Sequence, residues 1–229
     1  MKALVIFGGG IDGTVCTAEA VNKYGAENVK TISFFYGQRY KRELDFAKKA
    51  SNFYKVDNIC VDISNYFKGI PGTLLADNDA DVSKGTYEER LKEAEKGTLS
   101  EFVPCRGSVF FSIASLNAIK LGIDLILDPM NAESSHNGGF TDVTPEFAGY
   151  MQKTVYDGSG RVLRVEVPFM TESKGNVVKR GAELGVPFDL TFGCYEGREK
   201  PCGLCLNCRD RKKAFKDAGL KDPTVYEVM

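Results

Sequence analysis

Cys194, Cys202, Cys205 and Cys208 bring four thiols into one short stretch, with the last three in PCGLCLNC. Two thiolates three positions apart can grip one metal from a tight turn, and Gly203 eases that turn. Four thiolates complete a tetrahedral Zn²⁺ site with no open position, so the spacing predicts one structural zinc per chain rather than a catalytic one. An iron–sulfur cluster is the rival reading, because thiolates serve both. Such a metal would tie down the C-terminal segment and position its neighbours. Cys16, Cys60 and Cys105 lie on or beside apolar elements and read as small core residues.

A second chemically suggestive stretch is VIFGGGIDGTVC, Val5 to Cys16. An apolar run, a glycine-rich turn and then a helix bring backbone N–H groups together where an anion can sit, so Phe7, Gly8, Gly9, Gly10, Ile11, Asp12, Gly13 and Thr14 are expected to cradle phosphate. Residues 8–13 also match the dinucleotide pattern G-x-G-x-x-G. That reading wants an acid at the end of the second strand, and FFYGQR has none there. Arg39 could accept a 2′-phosphate, which leaves NADP open. The same frame fits the loop S-G-G-x-D-S with both serines replaced by glycine, a frame that suits ATP. Asp12 either caps a helix starting at Gly13 or holds Mg²⁺ on the nucleotide. His136, the only histidine, lies in the glycine-rich 134–139 loop and is expected in solvent, with ligand contact as the alternative.

The elements that must position these groups alternate. Ala3–Phe7, Lys30–Phe35, Asn58–Asp62, Asp124–Leu127 and Leu163–Val167 read as strands. Helices are expected at Thr14–Lys23, Arg39–Tyr54, Ser108–Leu121, from Thr144 to about Lys153, at Lys174–Leu184 and at Arg209–Ala218. This βαβα order predicts an α/β fold with a twisted parallel sheet covered on both faces. Residues 63–100 are polar and charged and read as a solvated excursion with a surface helix at Tyr87–Lys96.

At 229 residues, 43% apolar and 27% charged, the chain suits one large domain or one with a small appendage. A net charge of −1 gives no field toward nucleic acid or anionic lipid, so neither partner is expected. No apolar run approaches the roughly 18 residues of a membrane span, and a cytoplasmic location is expected.

With these parts placed, the chain resembles the ExsB/QueC family of 7-cyano-7-deazaguanine synthases, in the PP-loop ATP pyrophosphatase superfamily. The shared stretches are GGGIDG (8–13), FFYGQRYKREL (34–44), FVPCRGSVFFSIA (102–114), NAE (131–133), GFTDVTPEF (139–147), VPFMTESK (167–174) and FGCYEG…PCGLCLNCRDRKKAF (192–215). The resemblance implies a Rossmann-like, doubly wound parallel sheet of the adenine nucleotide alpha hydrolase type. Residues 1–190 would form the PP-loop domain, with 63–100 a variable insertion and 191–229 a four-cysteine zinc segment packed on it. It implies ATP-dependent adenylation of the carboxylate of 7-carboxy-7-deazaguanine, amidation with ammonia, and a second activation that dehydrates the amide to the nitrile preQ0. It also implies a homodimer. The implied catalytic residues are Asp12, Arg39, Arg106 and Lys174, and the implied substrate contacts are Tyr36, Gln38, Arg106, Glu133 and Asp142.

Several positions depart from the family pattern. Gly8 and Gly13 replace serines of the loop, Gly107 an asparagine, Val143 a cysteine, Ser134 an acid and Gly193 a serine. Hydrogen bonds to charged groups are worth about 1.5–3 kcal/mol each, so these losses bear on turnover. Three readings stay open at this point: a synthase that reaches the nitrile, an enzyme that stops at the amide, and a degenerate relative that only binds nucleotide or deazapurine.

Overall fold

A computed structural model describes residues 1–71, 73–75, 80–136 and 138–228. Among these residues, five parallel strands form one sheet: β1 (Ala3–Ile6), β2 (Val29–Phe35), β3 (Asp57–Asp62), β4 (Leu125–Leu127) and β5 (Arg164–Glu166), in the order β3-β2-β1-β4-β5. The helices are α1 (Ile11–Tyr24), α2 (Arg42–Phe53), α3 (Ser64–Phe67), α4 (Tyr87–Ala94), α5 (Arg106–Lys120), α6 (Pro145–Gly158), α7 (Lys174–Glu183) and α8 (Leu206–Asp217). The expected Rossmann-like α/β sheet is therefore present.

The sheet is covered on both faces, which is why β1 is wholly apolar and wholly buried. Successive side chains point to opposite faces. Ala3 and Val5 join a core with Val15, Val177, Val178 and Phe215, from α1, α7 and α8. Leu4 and Ile6 join the other core with Phe111, Ala114, Met151 and Val155, from α5 and α6. The chain runs outward from β1 to β3 and then returns to lay β4 on the other side of β1. That reversal opens a crevice at the carboxyl ends of β1 and β4, where α/β sheets bind ligands.

Some boundaries move. α1 begins at Ile11 rather than Thr14, and α8 at Leu206, immediately after Cys205. α6 continues past Lys153 because Val155 still faces the core. Within the polar insertion, Gly72 and residues 76–79 lie outside the described residues. The remainder is less solvated than its composition suggests. Arg90 on α4 is 4% exposed and pairs with Glu93 and with Glu101, itself 2% exposed. Ala94 and Leu99 pack with Phe140 and Leu206. Among the described residues no helix is long and apolar enough to cross a membrane.

The turn after β1 has no room for side chains at one position. Gly9 has φ +79°, and a Cβ there would lie 2.2 Å from the Glu43 carbonyl oxygen and 2.8 Å from the Ala47 nitrogen. Both neighbours are helical backbone and cannot yield cheaply. Gly9→Ala is therefore expected to destabilise the fold by more than about 2 kcal/mol. Urea denaturation checks this, and a midpoint equal to that of the unsubstituted chain would refute the account.

Candidate active site

The glycine turn is built on backbone. Phe7 N–H donates to Ile32 O at 2.8 Å, and Gly10 caps α1 in an extended conformation (φ −86°, ψ 179°) with no side-chain cap. Asp12 therefore sits in the first turn of α1 and does not cap it, which corrects the capping role considered from the sequence. A Cβ at Gly8 would meet nothing within 4 Å, whereas one at Gly13 would fall 2.5 Å from the Phe7 ring.

A cavity of about 340 Å³ opens beside this turn. One wall carries Gly8, Gly10, Asp12 and Gly13 with Lys174, the first residue of α7. Lys174 Nζ lies 3.5 Å from Asp12 Oδ2. Burial opposes the charge on Lys174, but Asp12 and Asp210 outweigh it and raise the ammonium above its usual range. Asp12 Oδ1 is buried without a hydrogen-bond partner, which suits a ligand for a hard cation such as Mg²⁺.

The opposite wall is aromatic and cationic. Phe34 stacks on Phe110 at 4.2 Å between ring centroids. Arg106, the first residue of α5, lies over the Tyr36 ring at 5.8 Å and has Nη2 3.7 Å from Asp142 Oδ2. Burial would lower the Arg106 pKa, but Tyr36 and Asp142 keep it a firm cation. Asp142 also accepts from Gly107 N–H at 3.3 Å.

The remaining expected residues stand back from the cavity. Gln38 is buried and accepts from Tyr36 N–H at 2.8 Å while donating to Phe34 O and Glu43 Oε1, both at 3.0 Å, so it braces the aromatic wall. Glu133 does not line the cavity; it accepts from Lys174 N–H at 2.7 Å and pairs with Lys213 at 3.1 Å. Arg39 does not line it either, and its Nε donates to Leu75 O at 3.1 Å. Gly9 and Thr14 lie behind the cavity lining, with Thr14 Oγ1 donating to Gly10 O at 2.8 Å. His136 is 5% exposed rather than solvated: its Nε2 lies 3.0 Å from Asp210 Oδ2 on α8. Of the cysteines expected in the core, Cys16 is buried while Cys60 and Cys105 are exposed.

Glu43 and Asp128 line the cavity and were missed by the sequence reading. Burial pushes Glu43 up to about 8 and Asp128 to about 7. Asp128 follows β4 at the crevice, and that location was the available signal. Asn207 and Arg211 reach the cavity from α8.

The sulfurs of Cys194, Cys202, Cys205 and Cys208 all lie within 4.8 Å of one another, and those of Cys202 and Cys208 are 3.9 Å apart. Zn–S bonds of about 2.3 Å in a tetrahedron put sulfurs about 3.8 Å apart, so the cluster could hold a metal ion. Backbone N–H groups of Cys202, Leu204 and Cys205 point at Cys194 Sγ or Cys202 Sγ at 3.2–3.4 Å. Hydrogen bonding from the Cys205 thiol lowers Cys194, while Cys205 and Cys208 are pushed up chiefly by bonding to Cys194. Four adjacent thiolates thus need a cation to coexist.

Comparison with known proteins identifies the family. The family model described as "Queuosine biosynthesis protein QueC" matches residues 2–219. A 7-cyano-7-deazaguanine synthase from Oceanobacillus iheyensis is 37% identical over 227 residues, covering 98% of each chain. One from Caldicellulosiruptor saccharolyticus is 35% identical over 228 residues, covering 100% of this chain and 96% of that one. Among solved structures, NMN synthetase from Francisella tularensis aligns with TM-score 0.49 and 14% identity over 96% of this chain and 78% of that one.

The raised Glu43 carboxyl has a consequence for stability. The folded chain keeps a proton that the unfolded chain releases near the usual 4.5, so stability is full below that pH and falls as pH rises toward about 8. Glu43→Gln is expected to flatten this decline, leaving a shallower one from Asp128 that ends near 7. Urea midpoints from about pH 5 to 8 test it, and identical slopes in the two proteins would contradict it.

Proposed function

The chain belongs to the QueC family, and on that premise we propose that it activates the carboxylate of 7-carboxy-7-deazaguanine with ATP, joins it to ammonia, and carries the amide on to 7-cyano-7-deazaguanine. The observation that carries this reading is the two-walled cavity, with an anion cradle and Lys174 on one side and an aromatic wall with Arg106 on the other. A carboxylate is a poor electrophile. In the first step its oxygen attacks the α-phosphorus of ATP and pyrophosphate leaves. Ammonia then attacks the acyl carbon, loses a proton and expels AMP. For the nitrile, the amide oxygen attacks the α-phosphorus of a second ATP and expels a second pyrophosphate, and loss of AMP and two protons then leaves the C≡N bond.

In this reading the backbone N–H groups of residues 8–13 and Lys174 hold the leaving pyrophosphate. Asp12 would hold Mg²⁺, which supplies charge neutralisation. Phe34, Tyr36 and Phe110 form one aromatic surface against which the flat heterocycle packs, and Arg106, fixed by Asp142, orients the carboxylate against the phosphorus. The four cysteines hold zinc, whose role is to cross-link the C-terminal segment beside the cavity. A second reading, in which the enzyme stops at the amide, is favoured by Gly8 and Gly13. They leave residues 8–13 with no side-chain hydroxyl for the harder activation of a weakly nucleophilic amide, and the Thr14 hydroxyl is committed to Gly10 O.

Incubation with 7-carboxy-7-deazaguanine, ammonium and Mg-ATP, read by mass spectrometry with AMP counted, decides between the readings. Nitrile is the expected product, amide alone supports the second reading, and no AMP from folded, metal-loaded protein sinks both. Metal analysis is expected to find about one zinc per chain. Cys205→Ala should lose that zinc along with most of the soluble, folded yield; a soluble variant with an unchanged melting temperature would remove the structural role.

A further inference from the structure

We propose that Asn207 donates a hydrogen bond to the nucleotide held on the glycine loop, in the place where the family pattern carries a serine side chain at position 193. This rests on the ATP-activating reading above. Asn207 lies on α8 between Cys205 and Cys208, and it lines the cavity beside Phe192 and Gly193. A Cβ on Gly193 would fall 2.8 Å from Asn207 Oδ1 and 3.1 Å from Nδ2. The carboxamide therefore occupies the space that a side chain at 193 would fill. It makes no hydrogen bond with any described residue, so both its N–H donors are uncommitted. Arg211, one turn further along α8, also reaches the cavity, but each of its three guanidinium nitrogens already holds a protein partner. Its guanidinium binds Asp222 at 3.0 Å, Thr191 Oγ1 at 2.6 Å and Phe188 O at 3.0 Å.

The location selects the ligand. Phe192 N–H donates to Gly9 O at 2.9 Å, and a Cβ on Gly10 would lie 3.9 Å from Phe192 O. The Phe192–Gly193 segment thus abuts the anion-cradling turn, whereas the aromatic wall comes from β2 and α5. A neutral amide there adds donors to a phosphate oxygen without adding charge beside Lys174. It also gives the four-cysteine segment a direct part in the cavity, because the residue lies between two of the metal ligands.

Calorimetric titration of the full, zinc-loaded chain with ATP tests this. Asn207→Ala is expected to weaken binding about tenfold or more while zinc content and melting temperature stay unchanged. Gly193→Ser leaves the sequence of α8 unchanged and is expected to weaken binding as well, because its Cβ displaces the Asn207 carboxamide. The double variant Gly193→Ser/Asn207→Ala is expected to bind better than Asn207→Ala alone, because the new hydroxyl has room to donate. Affinities of both single variants within about twofold of the unsubstituted chain would overturn the assignment, whatever the zinc content of Asn207→Ala. An unsubstituted chain that binds no ATP would instead remove the nucleotide reading, and this inference with it, before any substitution is made.

Discussion

Backbone meets backbone at Gly9, and much of the site follows from that contact. The residue touches α2 so closely that a Cβ would sit 2.2 Å from the Glu43 carbonyl oxygen, while its own carbonyl accepts from Phe192 N–H at 2.9 Å. Three distant pieces of chain are joined there: the turn after β1, the start of α2 and the segment before the cysteines. The contact fixes where Glu43 faces the cavity and brings Gly193 and Asn207 to its rim. Only glycine meets both demands, a positive φ of 79° and no side-chain volume.

The cavity is balanced in charge by burial as much as by sequence. Lys174 and Arg106 remain cations, each held by a carboxylate across the cavity wall, Asp12 and Asp142. Glu43 and Asp128 would add two more negative charges, but desolvation raises them to about 8 and about 7. Near neutrality Glu43 is mainly protonated and Asp128 partly so. The acid-rich lining is therefore much less repulsive to an anion than its composition implies. Protonated carboxyls can also donate as well as accept, which suits a wall facing a heterocycle edge.

The legible parts of the sequence were those with a strong local signal. Apolar stretches alternating with helical patterns marked the strands, most plainly Ala3–Phe7, and the spacing of Cys194, Cys202, Cys205 and Cys208 marked the four-cysteine cluster directly. The start of α1 was misjudged because Gly10 ends the turn through its backbone, with no polar cap to mark the boundary. His136 looked solvated because a lone histidine among glycines carries no trace of Asp210, which lies on α8 far along the chain. Arg39 and Arg106 looked equivalent, each beside a motif. The fold separates them, sending Arg39 to the Leu75 carbonyl and seating Arg106 at the first turn of α5 inside the cavity. Gln38 and Glu133 illustrate a related gap, since both act on cavity residues through hydrogen bonds to backbone N–H groups, a role that spacing does not encode.

The departures from the family pattern are not equivalent once their surroundings are known. At Gly8 the space is open, so the missing hydroxyl is a chemical loss that packing does not force. At Gly13 the Phe7 ring stands where a Cβ would go, so a serine would require the ring to move. At Gly193 the Asn207 carboxamide occupies the vacated position with polar atoms of its own. Backbone N–H groups, which no substitution removes except proline, still line the turn. The charged pair Lys174–Asp12 is present beside it. Polar thinning thus falls on side-chain hydroxyls that assist a cradle made chiefly of backbone, and its consequences concentrate on the step that most needs extra stabilisation. In the proposed reaction, dehydration of the amide is that step, because an amide oxygen is a weaker nucleophile than a carboxylate and its attack on phosphorus would lean harder on every donor around the leaving group.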